Sequence, residues 1–132
     1  KAPVSNLALD RIISIDYDFK TPYIDEVFDA EQFYKNVVGV TVNTGMQPRK
    51  VQLLLNKTHA PYVLTKPLHS SQRLIETYED GSVKINLFLT ENYELERLLL
   101  GFGDGLVVLE PLRLRNRMKA ILKKSLEKYL EE

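Results

Sequence analysis

His59 and His69 are the two imidazoles of the chain, so any histidine base or histidine metal ligand must be one of them. They stand ten residues apart, on either side of a short apolar stretch. That separation matches neither the one-face pairing of a helix nor the short ligand loops of zinc sites. Cysteine is absent, which removes disulfides, thiolate nucleophiles and zinc–thiolate centres together. The pair therefore reads as two surface histidines with no shared site. Ser70 and Ser71 follow His69, but neighbours in sequence point apart, and no strained nucleophile elbow surrounds them. Gly101-Phe102-Gly103-Asp104-Gly105 has the composition of a phosphate loop in the wrong order. A phosphate cradle runs from a strand into a helix N-terminus, whereas these glycines follow a helical pattern and precede a strand. They read as a C-cap and a turn. No catalytic residue, metal ligand or cofactor site is assigned, and the chain is expected to be a binding and assembly module, not an enzyme.

The elements that would position any site follow from hydrophobic period. Asn6 to Phe19 alternates loosely, with Ile12, Ile13 and Ile15, and predicts one strand with no hairpin partner. Asp29 opens a predicted helix, with Gln32 three residues on as in a capping box and Gly39 at its end. Val51, Leu53 and Leu55 predict a strand, and Ala60 to Thr65 a short helix that stops before Pro67. Gln72–Tyr78 and Ser82–Thr90 predict two strands joined through Glu79-Asp80-Gly81, a hairpin signal. Thr90 or Asn92 caps a helix carrying Leu95, Leu98, Leu99 and Phe102, and Leu106 to Leu109 is the last strand. The order β-α-β-β-α-β predicts an α+β, ferredoxin-like split βαβ fold with one antiparallel sheet. A further helix follows Pro111. Its Leu114, Met118, Ile121, Leu122 and Tyr129 form an apolar stripe for an edge of the sheet, a preceding domain or a second subunit.

A chain of 132 residues with 44% hydrophobic composition can bury a core without covalent staples. No apolar run approaches the ~20 residues that cross a bilayer, and Lys1-Ala2-Pro3 does not begin a signal peptide, so a cytoplasmic protein is expected. Net charge is zero but segregated. Residues 10–31 hold seven acids against two bases, and residues 113–128 hold seven bases against one acid. No aromatic residues interleave the basic run, so it reads as a solvated or complementary face before it reads as a nucleic-acid surface. Two ligand-binding uses of such a fold each require a residue signature. An RNA-recognition version needs aromatics at the sheet centre, where Phe88 alone is placed. An acylphosphatase-like version needs an arginine after the first strand, where Asn56-Lys57-Thr58-His59 stands instead.

Several runs resemble one family. Leu98-Leu99-Leu100-Gly101-Phe102-Gly103 and Val107-Val108-Leu109-Glu110-Pro111-Leu112-Arg113 are similar to the C-terminal extension domain of WYL-domain transcriptional regulators. Pro67-Leu68-His69-Ser70-Ser71-Gln72 resembles that domain's Pro-Trp-His-Pro-Ser-Gln stretch, with Leu68 for the tryptophan and Ser70 for the proline. Leu7-Ala8-Leu9-Asp10-Arg11-Ile12 resembles the closing strand of the WYL domain, an Sm-like barrel. Phe28-Asp29 and Gly39 resemble the linker helix. The Trp-Tyr-Leu signature and a DNA-binding helix-turn-helix would precede residue 1.

The resemblance implies residues 1–20 as the trailing strand of a WYL domain, 21–49 as a linker with a helix, and 50–132 as the extension domain. It also implies an effector-sensing and dimerising region, with single-stranded DNA as an effector. Arg11, His69, Gln72 and Arg73 would form the effector surface, and a homodimer would reach its operator through the N-terminal DNA-binding domain of the full-length regulator. The alternative is a stand-alone protein–protein scaffold that takes no ligand.

Overall fold

Strict alternation on two segments decides the architecture. In the computed structural model, which describes residues 4–131, Arg49–Leu55 forms β1 and Val83–Leu89 forms β3. They pair antiparallel, with Leu53 opposite Ile85. Val51, Leu53, Leu55, Val83, Ile85, Leu87 and Leu89 all turn to one side and are at most 2% exposed. Burial of each such side chain stabilises by about 1.5–3 kcal/mol, so this double row is the main anchor of the domain. Arg73–Thr77 (β2) pairs with the outer side of β3, and Leu106–Glu110 (β4) with the outer side of β1, both antiparallel. The strand order β2-β3-β1-β4 is that of a ferredoxin-like sheet, as the element order predicts.

The turn between β2 and β3 needs a left-handed residue, and Gly81 supplies it at φ 87°. Asp80 fixes the same turn. Its carboxylate accepts the Ser82 hydroxyl at 2.6 Å and the Ser82 amide at 2.9 Å, which holds its pKa below the usual carboxylate value.

The helices cover the apolar side. Ala60–Thr65 (α2) contributes Ala60 and Val63, and Tyr93–Leu100 (α3) contributes Leu95 and Leu99. Asn92 caps α3 by accepting the Leu95 amide at 2.8 Å. Leu112–Leu130 (α4) leaves the end of β4 and lays Leu114 and Met118 on the same core. The opposite side of the sheet has no helix over it among the described residues.

Two expectations need correction upstream of the sheet. Asn6–Phe19 is not a strand: Leu9–Arg11 is a 3-10 turn, the rest is irregular, and every residue from Val4 to Gln32 is exposed. Apolar alternation makes a strand only beside another strand that can take its amides and carbonyls, and this segment has no such neighbour among the described residues. The helix opened by Asp29 is also shorter than expected. Asp29 does cap it, accepting the Gln32 amide at 3.1 Å, but α1 covers only Ala30–Tyr34. The chain then turns so that Val37 enters the interior, and Gly39 follows at φ 76°. Lys1-Ala2-Pro3 lies outside the described residues.

Candidate ligand face and assembly surface

β1 and β3 present to the uncovered side of the sheet the residues that alternate with the core. Phe88 stands there 56% exposed, directly across from Lys50. Asn86 lies between Gln52 and Arg73 in the ladder, and the Gln52 side-chain amide donates to the Asn86 side-chain oxygen at 3.0 Å. Lys50 pairs with Glu110 at 2.9 Å, and Lys84 with Glu76 at 3.5 Å. Lys84 also lies over the Tyr78 ring, 5.8 Å from its centroid. The Tyr78 contact, and Glu76 after it, hold its proton more firmly than usual. The exposed Phe88 ring, the Tyr78 ring beside Lys84, two adjacent amides and several cations thus share this face, and acids neutralise some of those cations.

The loop from α2 to β2 borders this face and carries three of the residues singled out by sequence. Gln72 is a structural latch. Its oxygen accepts the Leu68 amide at 2.9 Å and its nitrogen donates to the Val63 carbonyl at 3.0 Å, so it closes the loop onto α2. Ser71 accepts the Phe88 amide at 2.8 Å and so extends the β2–β3 ladder by a side chain. Its hydroxyl also lies 2.7 Å from Nδ1 of His69. His69 and Ser71 therefore meet, against the sequence expectation, because the loop turns back and brings positions i and i+2 together. Arg73 is exposed on the open side, its guanidinium donating to the Gln72 carbonyl at 2.7 Å.

Arg11 sits in the Leu9–Arg11 turn, and no hydrogen bond joins it to His69, Gln72 or Arg73 among the described residues. His59 is not a surface residue either. It is half-buried, its ring edge-on to Phe102 at 5.5 Å and against Gly105, at the glycine turn that enters β4. The signal that could have revealed it is Gly105 itself, where a Cβ would stand 2.1 Å from the imidazole.

α4 divides in two. Leu114 and Met118 are buried and Ile121 is half-buried on the core, so three residues of the predicted stripe pack within their own chain. Leu122, Leu126, Tyr129 and Leu130 are exposed, from 46% to 88%. Between this helix, the end of α3 and β4 lies an apolar groove of about 470 Å³, walled by Leu100, Val107, Met118, Leu122 and Leu126 and rimmed by Lys119 and Lys123. Arg115 donates to the Val108 carbonyl at 3.1 Å, which occupies part of the backbone edge of β4. On the opposite side of α4, Arg117 is held by Glu96, with one bond at 3.0 Å, and this raises the already high basicity of its guanidinium.

No helix among the described residues is long and apolar enough to cross a membrane. Comparison with curated proteins finds no match. The family model of the WCX domain matches residues 47–126, from the entry into β1 to the exposed half of α4. With its four-stranded antiparallel sheet and covering helices, the chain belongs to the WCX family, the C-terminal extension of WYL-type regulators.

Proposed function

We propose that this chain is the effector-sensing and dimerising region of a WYL-type transcriptional regulator, and that it works by binding without catalysis. The observation that supports this reading is a division of labour between two uncovered surfaces. The open side of the sheet is polar and carries Phe88 with Lys50, Arg73, Gln52 and Asn86. The groove along α4 is apolar and rimmed by cations.

Single-stranded DNA has the chemistry that fits the first surface. Its bases stack on an exposed ring at about 1–3 kcal/mol each, and its phosphates meet lysine and arginine. His69 and Arg73 border this surface, and Gln72 holds the loop that presents them. Arg11 adds a cation from the adjoining segment. The second surface serves a cytoplasmic homodimer, which meets its operator through the DNA-binding domain of the full-length regulator.

A fluorescence titration with a labelled single-stranded oligonucleotide tests this on the present chain. Glu110 and Glu76 offset two of the face's lysines, so binding should be weak and should fall steeply between low and physiological salt. Phe88→Ala and Arg73→Ala should each reduce it further. Binding lost only on substituting Lys119 and Lys123 would move the contact to α4 and refute the sheet as the ligand face. Tight, salt-resistant binding abolished by Arg11→Ala would place the ligand site on the N-terminal segment instead.

A further inference from the structure

Strongly exposed apolar side chains and acidic residues coincide in the segment before α1. Between Asp16 and Val27 the chain displays Tyr17, Phe19, Tyr23 and Val27 at 88–97% exposure and Ile24 at 73%, interspersed with Asp16, Asp18 and Asp25. The α4 groove displays Leu122 and Leu126 between Lys119 and Lys123. Within one copy both surfaces are uncovered, and patches of this kind mark interaction sites on soluble proteins. We propose that the acidic, aromatic segment Tyr17–Val27 of one copy lies along the basic groove of α4 in a second copy, and that the two copies exchange this contact reciprocally. The inference rests on the dimerisation part of the proposed function and names the two surfaces that meet.

Three magnitudes favour this occupant. The first is length. α4 has 19 residues, about 28 Å at ~1.5 Å per residue. Eleven extended residues reach at most about 36 Å at ~3.3 Å each, which leaves slack for the bend that Asp18 makes by accepting the Lys20 and Thr21 amides at 2.9 and 3.1 Å.

The second is area. Three aromatic side chains at about 150–250 Å² each, with Ile24 and Val27, approach the ~800 Å² per partner of a standard stable interface. The third is charge. Packing the groove side of α4 against its copy would set Lys119 and Lys123 of each copy near one another, whereas the acidic segment offers the opposite sign. Adding a strand to β4 would displace the Arg115 bond to the Val108 carbonyl, whereas a contact made by side chains keeps it. Two identical contacts related by a two-fold axis close the assembly at a dimer.

The test is sedimentation equilibrium of the full chain with charge exchange. Asp16→Lys with Asp25→Lys, and separately Lys119→Glu with Lys123→Glu, should each weaken dimerisation at least about tenfold, since each reversal acts twice per dimer. The quadruple variant, with its signs exchanged, should recover most of the loss. An uncharged probe, Tyr23→Ser with Val27→Ser, should also weaken the dimer while leaving the far-UV circular dichroism unchanged. A dimer indifferent to all of these refutes the segment as occupant and leaves dimerisation itself standing. Loss in both charge pairs without recovery in the quadruple variant refutes their pairing. A monomer at every concentration refutes this inference and the dimerisation reading together.

Discussion

Replacing Asn92 by alanine should cost the domain about 2–4 kcal/mol, far more than a surface cap. Asn92 is 5% exposed and uses its whole amide. Its oxygen accepts the Leu95 amide at 2.8 Å and so caps α3, while its nitrogen donates to the carbonyls of Val38 and Thr41, both at 2.9 Å. Loss of an N-cap costs about 1 kcal/mol. Each carbonyl left without a donor in a half-buried setting adds about 0.5–1.5 kcal/mol.

Two further substitutions separate the roles. Asn92→Ser retains a cap acceptor but cannot span to Val38 and Thr41, so it should recover only about 1 kcal/mol of the alanine loss. Asn92→Asp is a better partner for the helix dipole, yet it turns an anionic oxygen toward two carbonyls and should be no more stable than alanine. Urea denaturation followed by circular dichroism measures all three, with melting temperatures expected to drop about 4–8 °C for each kcal/mol in a domain of this size. Full recovery by serine, or an alanine cost below about 1 kcal/mol, would show that residues 37–41 are not fastened to α3 as described.

Other outcomes follow from the same contacts. Burial disfavours the charge of Glu94, but the Thr41 hydroxyl at 2.6 Å and the Val40 amide at 3.3 Å outweigh that and hold its pKa below the ordinary value of 4.5. Its contribution is therefore present above the ordinary value and lost as pH falls through the lowered one; urea midpoints measured down the acid range should fall for the wild type and flatten for Glu94→Gln. Gly105→Ala forces a Cβ to 2.1 Å from the His59 ring, an overpacking expected to cost about 1–3 kcal/mol, and adding His59→Ala should relieve part of it in the same denaturation assay. Ser71→Ala removes the acceptor for the Phe88 amide and should speed hydrogen exchange of that amide without altering exchange at Leu53 in the core.

Legibility in the sequence tracked whether a segment's partners lie within its own alternation. β1 and β3 were readable because Val51–Leu55 and Val83–Leu89 bury one face wherever they sit, and Gly81 marked the turn that pairs β3 with β2. Phe88 was placed on the open side by register alone. The Asn6–Phe19 strand failed for the converse reason, since alternation states which face would be buried and not whether a neighbouring strand exists. α1 stopped early because Val37 gains more by entering the interior than the helix gains by another turn, a tertiary preference invisible locally. The family motif singled out the His69–Arg73 loop but could not say that Gln72 is its latch or that Ser71 completes the ladder. Those roles depend on Val63 and Phe88, nine and seventeen residues away in sequence.

The two surfaces are connected through the sheet that separates them. Arg49–Leu55 and Val83–Leu89 supply alternate residues to the open face and to the core, and that core holds Leu114 and Met118 of α4. A ligand lying on Phe88 and Asn86 therefore presses on strands whose inner side chains are under 2% exposed, and close-packed interiors do not deform gradually. The sheet should respond as a rigid plate. Communication from a ligand on the open face to a partner copy would then run through what lies outside that core: the exposed segment before α1, and the outer half of α4 beyond Ile121. If the segment Tyr17–Val27 of one copy lies on α4 of the other, a ligand that also engages Arg11 or its neighbours competes for the chain that holds the dimer together. Effector binding and subunit geometry become linked without any change inside the sheet, and by reciprocity dimerisation must alter effector affinity by the same factor.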